Sequence, residues 1–341
     1  MQTIEHKYKH KLKTLRQVEE LYTQLSELHV DTIETHCVFE GLINTFEQFG
    51  NVLINTTRWR IYNYIQQKKL PKAEFFMVVC CSGGKDSVAT AQYYKNRGYT
   101  VVLYHMKGIN PAYYDEHKAV KNIANYLDIP YYIDEIKLKG KHQYVEHPMK
   151  NMLIANGAIQ FCLDNNMPVN IAFGNYNSSK LEDMDFEIDG GDSRDMWDIY
   201  EHIVSQEIPH FKIHTPLESV KDTYELFVNG NINLLPKCVS CMSPYRFRKH
   251  WKERTEKKYN IQLMENRCGC CWKCCMEYMV LVDYHLIHHE YFFSQEYYNY
   301  CFDILTKTAL KETGAESATI NQIWNRYFWY DITQSHLISK I

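Results

Sequence analysis

The sequence has no long apolar run. None of its segments approaches the roughly 18 consecutive apolar residues that a membrane-spanning helix needs. The stretch 1–17, MQTIEHKYKHKLKTLRQ, also lacks the apolar core of a secretory signal. These two absences predict a cytoplasmic protein that has no membrane partner.

A strong net charge is missing as well. Thirty-eight Lys and Arg residues oppose 41 Asp and Glu residues, which gives a formal charge of −3. The chain as a whole therefore has no attraction for nucleic acid, and any such contact would need a local basic patch. The apolar fraction of 45% and the charged fraction of 23% are typical of a globular protein and exclude a disordered one.

Cysteine, in contrast, is plentiful and unevenly placed. The chain has 12 cysteines, and six of them crowd one region: Cys241, Cys268, Cys270, Cys271, Cys274 and Cys275. Because the sequence shows no export signal, metal-bound thiolates explain this density better than disulfides do.

The apolar pattern predicts four regions along the chain. Helical spacing of apolar residues predicts a helical N-terminal extension over 1–72. Short apolar runs alternate with amphipathic stretches over 73–236, which predicts an α/β domain. The cysteine region occupies 237–280, and an aromatic-rich helical region follows over 281–341.

The α/β domain is predicted to contain a doubly wound parallel sheet with helices on both faces. The expected strands lie at 75–81, 100–106, 130–136, 169–174 and 210–216, with helices at 86–98, 116–127, 151–163 and 218–230. In such sheets ligands bind beyond the carboxyl ends of the strands. The loops at 82–86, 105–110 and 174–179 fall there, so we expect a ligand site among them.

The segment SGGKDS, residues 82–87, joins the first predicted strand to its helix. Backbone N–H groups and the positive end of the helix dipole converge on such a loop, which makes it an anion site. Gly83 and Gly84 can adopt positive φ and admit an oxygen, while Lys85 supplies a cation. The alternative is a plain turn in which Asp86 caps the helix. A Walker A loop is excluded, because the GxxxxGK[ST] pattern is absent.

SGGKDS resembles the SGGxDS signature of PP-loop ATPases, the N-type pyrophosphatases that split ATP into AMP and pyrophosphate. The resemblance implies an adenine nucleotide alpha-hydrolase-like fold, with ATP and Mg²⁺ as cofactors. Lys85 and Asp86 are the implied catalytic residues: Asp86 helps to hold Mg²⁺, and Lys85 stabilises the leaving pyrophosphate. The implied ATP-binding set is Ser82, Gly83, Gly84, Lys85, Asp86, Ser87, His105 and Met106.

The cysteines of RCGCCWKCC are spaced as metal ligands. Cys268, Cys271 and Cys274 form a C-x2-C-x2-C series, and Cys241 is the expected fourth ligand of a closed, structural Zn²⁺ site. Cys238 is the rival fourth ligand, because it forms a C-x2-C pair with Cys241. An iron–sulfur cluster is a further alternative that thiolate spacing leaves open.

Cys241 followed later by CGCCWKC looks like the zinc motif of the QueC family, the 7-cyano-7-deazaguanine synthases. Three other segments agree with that family in order: YHMKGINPAYYDEHKAVKNIANYLDIPYYID, FGNYNSS with GGDSRDMWDIYEHI, and HTPLESVKDTYELF. The resemblance covers about 75–280. It has no counterpart for the two ends of the chain.

The QueC resemblance implies a reaction. ATP would adenylate the carboxylate of 7-carboxy-7-deazaguanine, ammonia would displace AMP to give an amide, and a second ATP would dehydrate the amide to the nitrile. Asp192 and Arg194 would bind the guanine-like edge or the carboxylate, beside Gly174 and Asn175. A surface ion pair is the alternative role for Asp192 and Arg194.

Two departures from the QueC pattern leave the substrate open. Residues 242–267 separate Cys241 from Cys268, where that family has closely spaced cysteines, and Lys85 is more usual in PP-loop sulfurtransferases. The alternatives are therefore a PP-loop enzyme that modifies tRNA or DNA directly, with Cys162 as a candidate reactive thiol, and a non-catalytic nucleotide-binding subunit. Transfer of the deazaguanine acyl group to a protein amine is a variant of the leading hypothesis.

The segment SPYRFRKHWKERTEKKYN between the cysteines interleaves basic and aromatic residues. Such a patch can track a phosphate backbone and stack bases, which would make nucleic acid a partner. The commoner alternative is a solvated helix face whose aromatic side chains turn inward. A protein acceptor at the helical ends and a homodimer are further partner expectations.

Overall fold

The computed structural model describes residues 57–72, 74–109, 116–135, 147–175, 194–218, 220–283 and 294–313. These residues form two compact units. The first contains the described residues up to Ser82 and from Thr90 to Glu218, and the second contains Gly83–Ala89 and the described residues from 220 onward.

The first unit is built on a five-stranded parallel sheet. Its strands are β1 (Phe76–Cys80), β2 (Thr100–Lys107), β3 (Tyr131–Glu135), β4 (Ile171–Phe173) and β5 (Ile213–His214). They lie in the order β3-β2-β1-β4-β5, and every neighbouring pair is parallel. The predicted α/β fold with a doubly wound parallel sheet is confirmed.

The inner strands are buried because their sequences are almost entirely apolar. In β1 the residues from Met77 to Cys80 are all buried, as are those from Val101 to Met106 in β2. A parallel strand covered on both faces shows this continuous apolar run and not an alternating one. Strand β5 is shorter than the predicted 210–216.

Nine helices are described. Helix α1 covers 57–67. The others are α2 (Lys85–Asn96), α3 (Glu116–Leu127), α4 (His147–Asp164), α5 (Arg194–Ser205), α6 (Val220–Asn229), α7 (Tyr245–Tyr259), α8 (Trp272–Asp283) and α9 (Gln295–Thr313), with a 3₁₀ helix at Ile232–Lys237. Among the described helices, none combines the length and apolarity needed to cross a membrane.

Helix α1 is held on the first unit by polar contacts. The hydroxyl of Thr57 donates to Asn156 Oδ1 at 2.5 Å, and Arg58 pairs with Glu207 at 3.0 Å. The rest of the predicted helical extension, 1–56, lies outside the described residues. At the other end α9 is helical, while 314–341 also lie outside.

Candidate functional site

The SGGKDS loop occupies the turn between β1 and α2. Strand β1 ends at Cys80, and α2 begins at Lys85. Gly83 has a φ of +79°, a conformation that a side chain would strain, whereas Gly84 keeps a negative φ. The loop therefore delivers the first turn of a 12-residue helix directly beyond a buried strand, which is the geometry of an anion site.

Lys85 and Asp86 form an ion pair at the helix start. Lys85 Nζ lies 2.5 Å from Asp86 Oδ1, and the lysine side chain is only 6% exposed. The hydroxyl of Thr223 donates to the same Asp86 oxygen at 3.2 Å, and the ring of Tyr224 lies 5.7 Å from Nζ. The two predicted catalytic groups are thus together, and α6 supplies two contacts to them.

A segment at the start of the cysteine region supports the SGGKDS loop. The N–H of Val239 donates to the carbonyl of Gly83 at 2.7 Å, and the N–H of Lys85 donates to Ser240 Oγ at 3.0 Å. Inside the loop, the Ser87 hydroxyl donates to the Gly84 carbonyl at 3.0 Å. Sequence reasoning missed Ser240 and Thr223, because no local pattern marks either as a neighbour of the loop.

His105 and Met106 lie near the carboxyl end of β2, beside β1. His105 Nδ1 lies 2.8 Å from the carbonyl oxygen of Cys81, which accepts a hydrogen bond from the ring. Burial lowers the pKa of His105 from 6.5 to about 4, although the bond to Cys81 opposes the shift. The ring is therefore neutral near pH 7, and its Nδ1–H is engaged.

Gly174 and Asn175 follow β4, which pairs with β1 on the side away from β2. The strand order changes direction between β1 and β4, and ligands of doubly wound sheets bind at such a switch point. Ser82 and Gly174 therefore follow neighbouring strands at the expected edge. Asp192 lies outside the described residues, and Arg194 begins α5.

Four sulfur atoms meet in what we call the thiolate centre: those of Cys241, Cys268, Cys271 and Cys274 all lie within 4.8 Å of one another. The sulfurs of Cys268 and Cys274 are 3.9 Å apart. A tetrahedral zinc with Zn–S bonds of about 2.3 Å holds its sulfurs about 3.8 Å apart, so the spacing fits a single ion. An iron–sulfur cluster, whose thiolates bind different irons, needs a wider arrangement.

Charge also favours a cation in the thiolate centre. Hydrogen bonding from the thiol of Cys241 and from its neighbours lowers the pKa of Cys268 below its ordinary value, while bonding with Cys241 raises the pKa of Cys271. Four thiolates at this spacing repel one another, so a cation is needed to stabilise all of them in the ionised form.

Cys238, the rival fourth ligand, is not part of the thiolate centre. Its thiol donates to the carbonyl of Leu234 at 3.4 Å, and its own carbonyl accepts from Arg267 Nη1 at 2.7 Å. Arg267 is buried and is ion-paired with Glu277, with Nη2 at 2.9 Å from Oε2. This pair fixes the chain immediately before Cys268.

Cys162, the candidate reactive thiol, is fully buried on α4. Burial raises its pKa to about 12, so it stays a thiol at neutral pH. Nucleophilic chemistry depends on the thiolate, and this geometry provides none at Cys162.

Helix α7 carries the basic segment. Arg248, Thr255 and Tyr259 form its buried face. The exposed face carries Arg246, Lys249, His250, Arg254 and Lys257. Two aromatic side chains that could have turned inward are instead exposed, Tyr245 by 51% and Phe247 by 41%.

Comparison with known proteins gives a partial match. No family model matches the chain. It is 39% identical over 69 residues to the tRNA-specific 2-thiouridylase MnmA of Campylobacter jejuni serotype O:6, and 41% identical over 69 residues to that of strain RM1221. Each match covers 20% of this chain and 20% of the relative, so the chain spans about a fifth of the length of these curated relatives. This similarity supports the resemblance of the chain to the PP-loop superfamily.

Two solved structures are more distant. A predicted tRNA methyltransferase subunit from Methanocaldococcus jannaschii is 18% identical, with a TM-score of 0.27 over 45% of this chain and 73% of that one. The NMN synthetase of Francisella tularensis is 16% identical, with a TM-score of 0.31 over 54% and 71%.

Proposed function

We propose that the protein is an ATP-dependent enzyme that forms AMP and pyrophosphate and adenylates the carboxylate of a 7-carboxy-7-deazaguanine-type substrate. The observation that carries the proposal is the SGGKDS loop, with Lys85 and Asp86 at the start of α2 beyond a buried parallel strand. In this proposal the loop binds the pyrophosphate portion of ATP, and His105 and Met106 border the adenine.

The charge of the leaving pyrophosphate explains the loop residues. Negative charge develops on the pyrophosphate as the α–β bond breaks, and a cation and backbone N–H donors stabilise it there. Lys85 and the start of α2 provide both. Mg²⁺, when bound beside Asp86, supplies charge neutralisation on the phosphates. Thr223 orients the Asp86 carboxylate.

The proposed reaction converts the carboxylate to a nitrile through an acyl-adenylate and an amide. A carboxylate oxygen bonds to the α-phosphorus and pyrophosphate leaves, giving an acyl-adenylate. Ammonia adds to the acyl carbon, loses a proton and expels AMP, giving the amide. The amide oxygen then attacks the α-phosphorus of a second ATP and pyrophosphate leaves, and loss of AMP and of both nitrogen-bound protons gives the nitrile. Each cycle of this kind replaces a poor leaving group by AMP.

The remaining site residues are proposed from their places in the fold. Gly174 and Asn175 would line the substrate cavity at the switch point beside β1. Asp192 and Arg194 would bind the guanine-like edge or the carboxylate. Zinc is the proposed ion of the thiolate centre, where four cysteines leave no open coordination position and its role would be structural.

Direct modification of tRNA or DNA is the second candidate. The exposed Tyr245 and Phe247 beside the basic face of α7 favour a nucleic acid partner, and the 69-residue similarity is to a tRNA-specific thiouridylase. Any sulfur-transfer version must use a thiol other than Cys162, because that group is buried and protonated.

Release of AMP and pyrophosphate from labelled ATP tests the two candidates together. The wild type is incubated with the deazaguanine acid plus ammonia, with tRNA, or with DNA. Acid-dependent release supports the first candidate, nucleic-acid-dependent release supports the second, and acid-dependent release that ammonia does not stimulate points to a protein amine. Lys85→Ala should lower the rate at least about 100-fold, while Ser205→Ala, whose hydroxyl bonds to the Phe211 carbonyl in the first unit, is the matched control.

If none of the three substrates elicits AMP release, an adenylating function is refuted. A non-catalytic nucleotide-binding subunit is then the remaining function. Activity that survives Lys85→Ala unchanged would remove the SGGKDS loop from the chemistry.

A further inference from the structure

Residues 238–241, which we call the brace, contact the SGGKDS loop by two backbone-directed hydrogen bonds. Val239 donates its N–H to the Gly83 carbonyl, and Ser240 accepts the N–H of Lys85. The two brace residues are consecutive in sequence, and their partners, Gly83 and Lys85, are separated by one residue of the loop. They fix both the positive-φ glycine and the first residue of α2.

Both ends of the brace are attached to the thiolate centre. Cys241 contributes one of the four sulfurs. At the other end, the Cys238 carbonyl accepts from Arg267, whose neighbour in sequence is the second sulfur donor, Cys268. The brace therefore has few ways to move while the four sulfurs are held together.

A metal changes how firmly the sulfurs are held. With an ion in place, a metal–sulfur bond fixes Cys241, and three more fix the other sulfurs of the thiolate centre. Without the ion, a thiol–thiol hydrogen bond such as that of 3.9 Å between Cys268 and Cys274 is weak, and thiolates repel one another. Release of Cys241 would free the brace to move, and Val239 and Ser240 would no longer hold the Gly83 carbonyl and the Lys85 N–H in place.

From this chain of contacts we infer that metal occupancy of the thiolate centre sets the affinity of the SGGKDS loop for Mg-ATP, with Ser240 as the positioning residue. The inference rests on the proposed ATP site and extends it, since it gives the structural metal a measurable effect on nucleotide binding. Ser240 acts by holding the Lys85 amide, at the position where the helix and its lysine side chain begin.

The first test uses the zinc-loaded protein and calorimetry with a magnesium complex of α,β-methylene ATP. Ser240→Ala should weaken binding about three- to tenfold, the effect of one lost hydrogen bond. Zinc content and melting temperature should stay at wild-type values. Ser240→Thr, which keeps the hydroxyl, should restore the affinity, and Ser205→Ala should match the wild type.

The second test removes the metal with a chelator. The wild type should lose at least about tenfold in affinity, and added Zn²⁺ should restore it. Chelation should cost Ser240→Ala less than it costs the wild type, because the variant has already lost one link. If chelation unfolds the second unit, the zinc-loaded Ser240→Ala result decides.

Wild-type affinity in zinc-loaded Ser240→Ala would overturn the inference. An equal loss in Ser240→Thr would also overturn it, because the hydroxyl would then not be the cause. A zinc-loaded wild type that binds no nucleotide would overturn the proposed ATP site itself, and the inference with it.

Discussion

At the scale of single residues, His105 shows how burial selects a protonation state. The imidazole is enclosed near the end of β2, and its Nδ1–H bonds to the Cys81 carbonyl. Burial disfavours the imidazolium, and nearby Lys107 and Lys150 add to that effect. A neutral ring with an engaged Nδ1–H keeps the two neighbouring strand ends together.

The lowered pKa of His105 predicts a pH-dependent stability. Between pH 6.5 and about 4 the unfolded chain binds a proton at His105 that the folded chain does not. The stability contributed by the neutral ring is therefore complete above pH 6.5 and is lost as the pH falls towards 4. The loss should approach about 3 kcal/mol of unfolding free energy. His105→Asn keeps a donor to Cys81 without titrating, so urea unfolding from pH 7 to 4 should show a shallower decline than in the wild type.

His202→Asn, at an exposed position on α5, is the matched control and should follow the wild-type pH profile. A His105→Asn profile parallel to the wild type would show that protonation of His105 is not linked to folding.

At the scale of elements, α4 lies against β2 through a glycine. A Cβ at Gly157 would clash with the Tyr104 hydroxyl oxygen and with Met106 Cε. The helix and strand can approach closely only because this position has no side chain. The same approach encloses Tyr104, whose hydroxyl donates to Asp134 at 3.0 Å.

Gly157→Ala should therefore destabilise the protein despite the better helix propensity of alanine. Propensity favours the change by about 1 kcal/mol, but overpacking costs about 1–3 kcal/mol. We expect a net loss of unfolding free energy, measured by denaturant titration. The loss should shrink in a Tyr104→Phe background, which removes the closest atom; an equal loss in both backgrounds would contradict this packing account.

Helix α7 yields a second prediction at this scale, for the nucleic acid candidate. Arg246→Ala combined with Lys249→Ala should weaken binding of a fluorescent oligonucleotide and lower the slope of log affinity against log salt by about 1–2. Phe247→Ala should weaken binding without changing the slope, because stacking is uncharged. Lys307→Ala on the exposed face of α9 is the control, and an unchanged affinity in all variants would remove α7 as a nucleic acid surface.

Features with a local sequence pattern could be predicted, whereas contacts between distant residues could not. Strands β1 and β2 were predicted because strands buried on both faces are continuous apolar runs. The SGGKDS loop and the cysteine spacing were visible because each is a local pattern. Ser240 and Thr223 were not, since their contacts join residues 155 and 137 positions apart and leave no periodic signal.

At the scale of the whole molecule, the two compact units have separate stabilising elements. The first is organised by the parallel sheet, and the second contains the thiolate centre, α7 to α9 and Gly83–Ala89. Helices α8 and α9 pack together, with Tyr278 and Tyr297 rings 4.5 Å apart. Regions of a protein that are stabilised by separate sets of contacts can unfold locally and independently of one another.

Metal removal should therefore act on one unit. After chelation, amide hydrogen exchange should rise in 238–283 and in Gly83–Ala89, because the metal no longer fixes Cys241 and the brace. Amides of β1, β2 and β3 should keep their protection. Uniform loss of protection across both units would show that the metal holds the whole chain, and no change would show that the thiolate centre does not bind metal.

In the proposed reaction a carboxylate oxygen attacks the α-phosphorus of ATP at the SGGKDS loop, and isotope transfer from the acid to AMP reports this attack. The deazaguanine acid, labelled with ¹⁸O in its carboxylate, is incubated with ATP, Mg²⁺, ammonia and the protein, and the AMP is analysed by mass spectrometry. Adenylation leaves one carboxylate oxygen on the phosphorus, so the AMP should carry ¹⁸O, and Lys85→Ala should slow formation of the labelled AMP at least about 100-fold. AMP formed without label would show that no carboxylate oxygen attacks the α-phosphorus.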